Sequence, residues 1–123
     1  MTHDTRGPAE ILRDAWELIS DPDHWTQNAM ARKANGVRTG VDNDDATAWC
    51  AMGALYRAYP TMLSMLHTSP SEWAMCEAMT GALGRASRRL ADQSPTSLND
   101  NGSHEDVALL FKHAIEDVEQ GQL

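Results

Sequence analysis

The stretch from Ser69 to Leu90 commits the chain to a helical scaffold. Ser69-Pro70-Ser71-Glu72 combines three start signals. The serine hydroxyl can cap free backbone N–H groups, the proline's missing N–H is unpaired at the first helical position anyway, and the glutamate is placed to reach back to the cap. Behind it, Trp73, Cys76, Met79, Thr80, Leu83, Ala86 and Leu90 recur at three- and four-residue steps, which predicts one side of a long helix. Arg85, Arg88 and Arg89 make its C-terminal end basic. Compensation of the negative end of the helix dipole accounts for that placement, and an anion site is the alternative.

A long one-sided helix has to be covered, and the rest of the sequence offers further helices. Pro8 opens a run in which Ile11, Leu12, Ala15, Trp16 and Ile19 share a face. Pro22 breaks that run, and Asp21-Pro22-Asp23 predicts a second helix edged by Trp25, Ala29 and Met30 and stopped at Asn35-Gly36. Residues 35–44 read as a loop, with Val37–Val41 weakly alternating. Asp44 and Asp45 then precede Trp49, Met52, Leu55, Tyr56 and Tyr59 at helical spacing, so a central helix is expected from Asp44 onward. In it Cys50, Gly53 and Ala54 line the adjoining face, where small side chains admit a close neighbour. Pro60 ends that helix, and Met62, Leu63, Met65 and Leu66 form an apolar turn or two. Residues 92–102 read as a polar loop. Ser103 and Asp106 are spaced as a capping box for a last helix, whose stripe is Val107, Leu110, Phe111, Ala114, Ile115 and Val118, with Gly121 as its stop. Gly53–Ala58 and Gly81–Ala86 are nearly the same string, which chance explains in alanine-rich helices.

The expected architecture is therefore all-α: a flexible N-terminus at 1–7 and a single domain at 8–120, a compact bundle of about five or six helices. A chain of 123 residues fits one domain. Only 6% of it is aromatic, so core volume has to come from Leu, Met and Ala around a few large anchors. The formal net charge of −8 disfavours direct contact with a phosphate backbone; it serves solubility, or meets a basic partner. Two cysteines in apolar surroundings do not suggest a disulfide scaffold. No secretory pattern or membrane-length apolar run is visible, which points to a cytoplasmic protein.

Motifs for chemistry are sparse. There is no phosphate-binding glycine loop, no paired Cys-x-x-Cys and no His-Glu-x-x-His. His3, His24, His67, His104 and His113 fall at no metal-ligand spacing, and neither a metal nor a cofactor is expected. One set contains the parts of a cysteine hydrolase or transferase: Cys50 as nucleophile, His104 as base, Asn99 or Asp100 to orient it, and Gln27 as an oxyanion donor. The competing reading makes Cys50 a small buried hydrophobe, His104 the exposed first residue after a cap, and Asn99-Asp100-Asn101-Gly102 ordinary turn chemistry.

Asp21-Pro22-Asp23-His24-Trp25-Thr26-Gln27, then Trp49-Cys50-Ala51-Met52-Gly53-Ala54-Leu55, then Asn99-Asp100 and Ser103-His104-Glu105-Asp106-Val107 resemble the successive blocks of a small uncharacterised family of bacteria and their phages. The resemblance covers about Ile11 to Ile115. It implies no activity, cofactor or partner, but it directs attention to Trp25, Gln27, Trp49, Cys50, Asn99, Asp100 and His104. Three readings follow: a small acidic accessory protein that binds a protein partner, an enzyme using Cys50 and His104, or a small-molecule or peptide groove between helices lined by Met and Trp.

Overall fold

A computed structural model describes residues 6–67 and 69–121, the side chains of 64–67 excepted. The expectations for Met1–Thr5, His3 among them, and for the side chains of Met65, Leu66 and His67 lie outside the described residues. Within them the fold is carried by α1 (Pro8–Ile19), α2 (Ala51–Ala58), α3 (Pro70–Ala91), α4 (Pro95–Asn101) and α5 (His104–Glu119). A 3₁₀ turn (Pro22–His24) and two short strands, β1 (Ala31–Lys33) and β2 (Ala46–Trp49), lie between α1 and α2, and a 3₁₀ segment (Pro60–His67) leads into α3. The domain is thus largely all-α, with one small antiparallel ribbon. No helix among the described residues is long and apolar enough to cross a membrane.

The helix faces follow the periodicity. α3 packs along α5, and α1 packs on α2 and α5. Ile11, Leu12, Ala15 and Ile19 from α1 meet Leu55 from α2, Met79 and Leu83 from α3, and Leu110 and Phe111 from α5, all buried. Ala51, Ala54, Ala82, Ala86 and Ala114 are fully buried between them. Small side chains let these helix axes come close, which is how a chain with one phenylalanine fills its interior. Both predicted capping boxes form. Ser69 Oγ accepts from Glu72 N while Ser69 N donates to the glutamate, and Ser103 and Asp106 repeat the exchange. At the N-terminus Arg6 reaches the Asp14 carboxylate and the Ala58 carbonyl, tying the chain before α1 to the end of α2.

The structure departs from the sequence expectation between residues 21 and 58. The helix expected from Asp44 is divided: Ala46–Trp49 is strand β2, and α2 starts only at Ala51 with Cys50 as its cap. Ala31 pairs with Trp49, Arg32 with Ala48 and Lys33 with Ala46, with an irregularity between Arg32 and Lys33. Ala46 and Trp49 are buried while Thr47 faces water. Asp44 and Asp45 sit in the preceding turn, where Asn43 Oδ1 accepts from Asp45 N. The expected second helix shrinks to one 3₁₀ turn, because the backbone after it pairs with β2: Thr26 N donates to Trp49 O. Asn35-Gly36 accordingly closes a β-turn instead of a helix, with Gly36 at φ +86° and Lys33 N bonded to Val37 O. The expected polar loop at 92–102 contains α4, capped by Ser94 with Pro95 at its first position, as Ser69-Pro70 caps α3.

The ribbon is locked onto α2 through Gly53. A Cβ there would run into the Met30 carbonyl oxygen, so only glycine lets the segment leading into β1 cross the helix. Gly53→Ala is expected to lower stability by at least ~2 kcal/mol, at the upper end of overpacking costs because the obstacle is backbone. Urea unfolding measures it; an unchanged midpoint would show that Met30 does not cross there.

Candidate functional site

The segments carrying the three sequence blocks converge on one buried side chain. Asn99, on α4, is 1% exposed. Its Oδ1 accepts from the Trp25 indole N–H at 2.7 Å and from Ala51 N, the first residue of α2, at 2.9 Å. Its Nδ2 donates to Thr26 O at 3.1 Å and to Asp100 Oδ1 at 3.0 Å. An amide side chain has two donors and about two acceptor sites, so Asn99 is saturated.

Gln27 completes the join from the other side. Its Nε2 donates to Asn99 O at 3.0 Å and Gly102 O at 2.9 Å, with Asp100 O at 3.3 Å. Those carbonyls belong to the C-terminal end of α4, which has no helical partner for them. Asp100 Oδ1 also accepts from Asn28 N at 2.8 Å, holding Asn28 at a left-handed φ of +64°. Arg32 braces the same loop through Thr26 Oγ1, Gln27 O and Gly36 O. Gln27, Asn99 and Asp100 are therefore brought together, and each is directed at backbone.

His104 opens α5 beneath Trp25. Its ring lies 5.3 Å from the Trp16 ring and 5.4 Å from the Trp25 ring, between the two. Nε2 sits 2.7 Å from the Ile19 carbonyl, a group left unpaired by the end of α1. Because a carbonyl only accepts, Nε2 carries the proton, and in the neutral ring Nδ1 is the acceptor.

Cys50 is buried, as is Cys76. As N-cap of α2 it accepts from Gly53 N at 3.3 Å, and its S–H points at Met30 Sδ, 3.7 Å away. Burial raises the thiol's pKa; backbone N–H groups of Gly53 and Met52 pull the other way, and the Asp100 charge adds to the rise. No hydrogen bond joins Cys50 to His104, each of which has its own partners. With its pKa raised, the Cys50 thiol keeps its proton at neutral pH, and its partners are Gly53 and Met30. Among the described residues no three His, Cys, Asp or Glu side chains gather as a metal site.

Sequence reasoning missed the parts of this join that are not side chains, and it missed Trp16 and Arg32. Asn28 carried a faint signal, since asparagine tolerates the left-handed region. It also placed Trp73 on the inner side of α3. Trp73 is 48% exposed and, with Tyr56, Met62, Cys76, Glu77 and Thr80, borders a groove of about 230 Å³ beside the start of that helix. Of the three clustered arginines, Arg89 pairs with Asp117, whereas Arg85 and Arg88 line a shallow depression on the outside of α3.

A protein-family model described as "Family of unknown function (DUF6197)" matches residues 3–117. The chain belongs to that family. No curated protein and no solved structure matches it. The match spans Asn99 and all its partners.

Two measurements probe this region. Asn99→Ala removes four hydrogen bonds and leaves Trp25 Nε1, Ala51 N and Thr26 O without a partner. At about 1–3 kcal/mol for each buried group left unsatisfied, a loss of roughly 3 kcal/mol or more is expected in urea unfolding; a loss under about 1 kcal/mol would mean the amide is dispensable. Native Cys50 should be alkylated by iodoacetamide at pH 7 well below the free-thiol rate and reach that rate in denaturant, as read by peptide mass spectrometry. The raised thiol pKa also sets a sign. Above the unfolded thiol range, about pH 8.5, the unfolded chain loses a proton that the folded one retains, so folding stability falls as pH rises. Cys50→Ala should flatten that fall relative to wild type.

Proposed function

We propose that this protein works by binding a protein partner, and that it does so on the groove beside the start of α3 without covalent chemistry at Cys50. The observation that carries the reading is a contrast. The polar groups around Asn99 are occupied in holding the fold together, while Trp73 is half exposed over the groove formed with Tyr56 and Met62. Large aromatic side chains at the mouth of an apolar pocket are the usual anchors of protein interfaces. The groove has room for one bulky apolar side chain. Leu63, next to Met62 in the sequence, is also 48% exposed. The formal net charge of −8 suits a partner whose anchor residue is flanked by lysine or arginine. The block resemblance supports an accessory role in a bacterium or a phage.

Comparative capture tests the reading. Proteins retained from a bacterial lysate by the wild type should be lost with Trp73→Ala or Met62→Glu and kept with Cys50→Ala. Truncation of an anchor residue costs about 2 kcal/mol or more, roughly a 30-fold loss of affinity once the partner is purified. Equal retention by all four proteins would sink the assignment of the groove. Selective loss with Cys50→Ala, in a variant that remains folded, would favour chemistry at the thiol.

A further inference from the structure

The outer face of α3 is matched to itself. Its inner face buries Cys76, Met79, Ala82, Leu83, Ala86 and Ser87. At about 100° per residue, the direction opposite Ala82 and Leu83 points straight out from the domain. A two-fold axis placed there, between positions 82 and 83, relates residue i of one antiparallel helix to residue 165 − i of the other. Glu77 then faces Arg88 of the second copy and Gly81 lies across from Gly84, while Thr80 stands level with Arg85, and exposed Ala74 with exposed Ala91, on opposite flanks of the strip. Along the centre of the strip acid meets base and glycine meets glycine. The six residues that line the outer depression are all placed by this one axis.

Packing within the chain does not call for the two glycines. Gly81 and Gly84 lie within a 22-residue helix, where each glycine costs about 1 kcal/mol relative to alanine. A Cβ on Gly84 would meet nothing within 4 Å, and one on Gly81 would meet only the tip of the Arg85 side chain. By contrast Gly53 is demanded by the Met30 backbone. Among the described residues Glu77, Arg85 and Arg88 make no ion pair or hydrogen bond, although Arg89 on the same helix pairs with Asp117. The strip holds a single carboxylate between Ala74 and Ala91, so it is where two copies of a chain with net charge −8 approach with little repulsion.

We infer that two copies of this chain pair through the outer faces of α3, antiparallel about a two-fold axis at Ala82–Leu83. A closed two-fold contact uses the same patch twice, so self-complementarity is its requirement. The contact is a strip about 30 Å long and 10 Å wide, on the small side for a specific interface, so the dimer is weak and concentration-dependent. The two Trp73 grooves then lie towards opposite ends of the paired helices, each sharing Glu77 and Thr80 with the contact. This inference does not depend on the partner reading above.

Sedimentation equilibrium tests it on the full chain. Wild type should pass from monomer to dimer as concentration rises towards about 1 mM, the weak end of the affinity scale. Glu77→Arg and Arg88→Glu each set like charges against each other in both halves of the contact, and each alone should be monomeric. An equimolar mixture of the two variants restores both pairs, so the mixture should dimerise. Gly84→Leu, whose side chain projects into open space in the monomer, should abolish the dimer while circular dichroism shows an intact helix. A wild type that stays monomeric, a dimer that survives Gly84→Leu, or a mixture that fails to associate would each overturn the inference. Association of Arg88→Glu with itself would point to another face.

Discussion

The side-chain amide of Asn99 is the point on which the irregular half of this molecule rests. Helices α1, α3 and α5 hold together by apolar packing. The segment from Pro22 to Trp49 has little of that, since its turn and strands are short and much of it faces water. It is kept in place by hydrogen bonds that meet at Asn99, from the Trp25 indole, the Thr26 carbonyl and the first N–H of α2. A buried network of this kind stabilises only when every member is matched, because an orphaned polar group in a low-dielectric interior costs more than a single bond contributes. Here the matching is complete among the described residues: no buried side-chain nitrogen or oxygen lacks a partner.

The same residues illustrate how far the sequence can be read. Ser69 with Glu72 and Ser103 with Asp106 were legible because capping is decided within four residues, by chemistry the sequence displays. β2 was not, because Asp44, Asp45 and the spacing of Trp49, Met52 and Leu55 satisfy a helix locally. What decides for a strand is the partner β1 and the Thr26–Trp49 bond, both remote in sequence. α4 was overlooked although Ser94-Pro95 repeats the start of α3, since the residues behind it are polar and only Leu98 and Asn99 are buried. At the candidate site, Trp25, Gln27, Asn99, Asp100 and His104 stood out from their blocks. Their partners, however, are largely carbonyls and N–H groups, which carry no side-chain signature, so side-chain types alone did not reveal the joints they form.

The near-identical strings Gly53–Ala58 and Gly81–Ala86 make the point in miniature. In each, the alanine and leucine after the glycine are buried. Yet one glycine is pressed against the Met30 backbone and the other looks outward beside Arg85. One string closes the fold, and the other leaves a face open.

The joints at Asn99 also set an order of events in synthesis. Its bonds to Trp25 and Thr26, and those of Gln27 and Asn28 to the end of α4, span 72 to 75 positions along the chain. Contacts so far apart form late, since the closure of a long loop precedes any gain from them. At about 5–20 residues per second, the ribbon leaves the ribosome some seconds before α4 exists to receive it. During that interval the Trp25 indole and the start of α2 are open to solvent. The last quarter of the polypeptide is therefore the keystone of its first half.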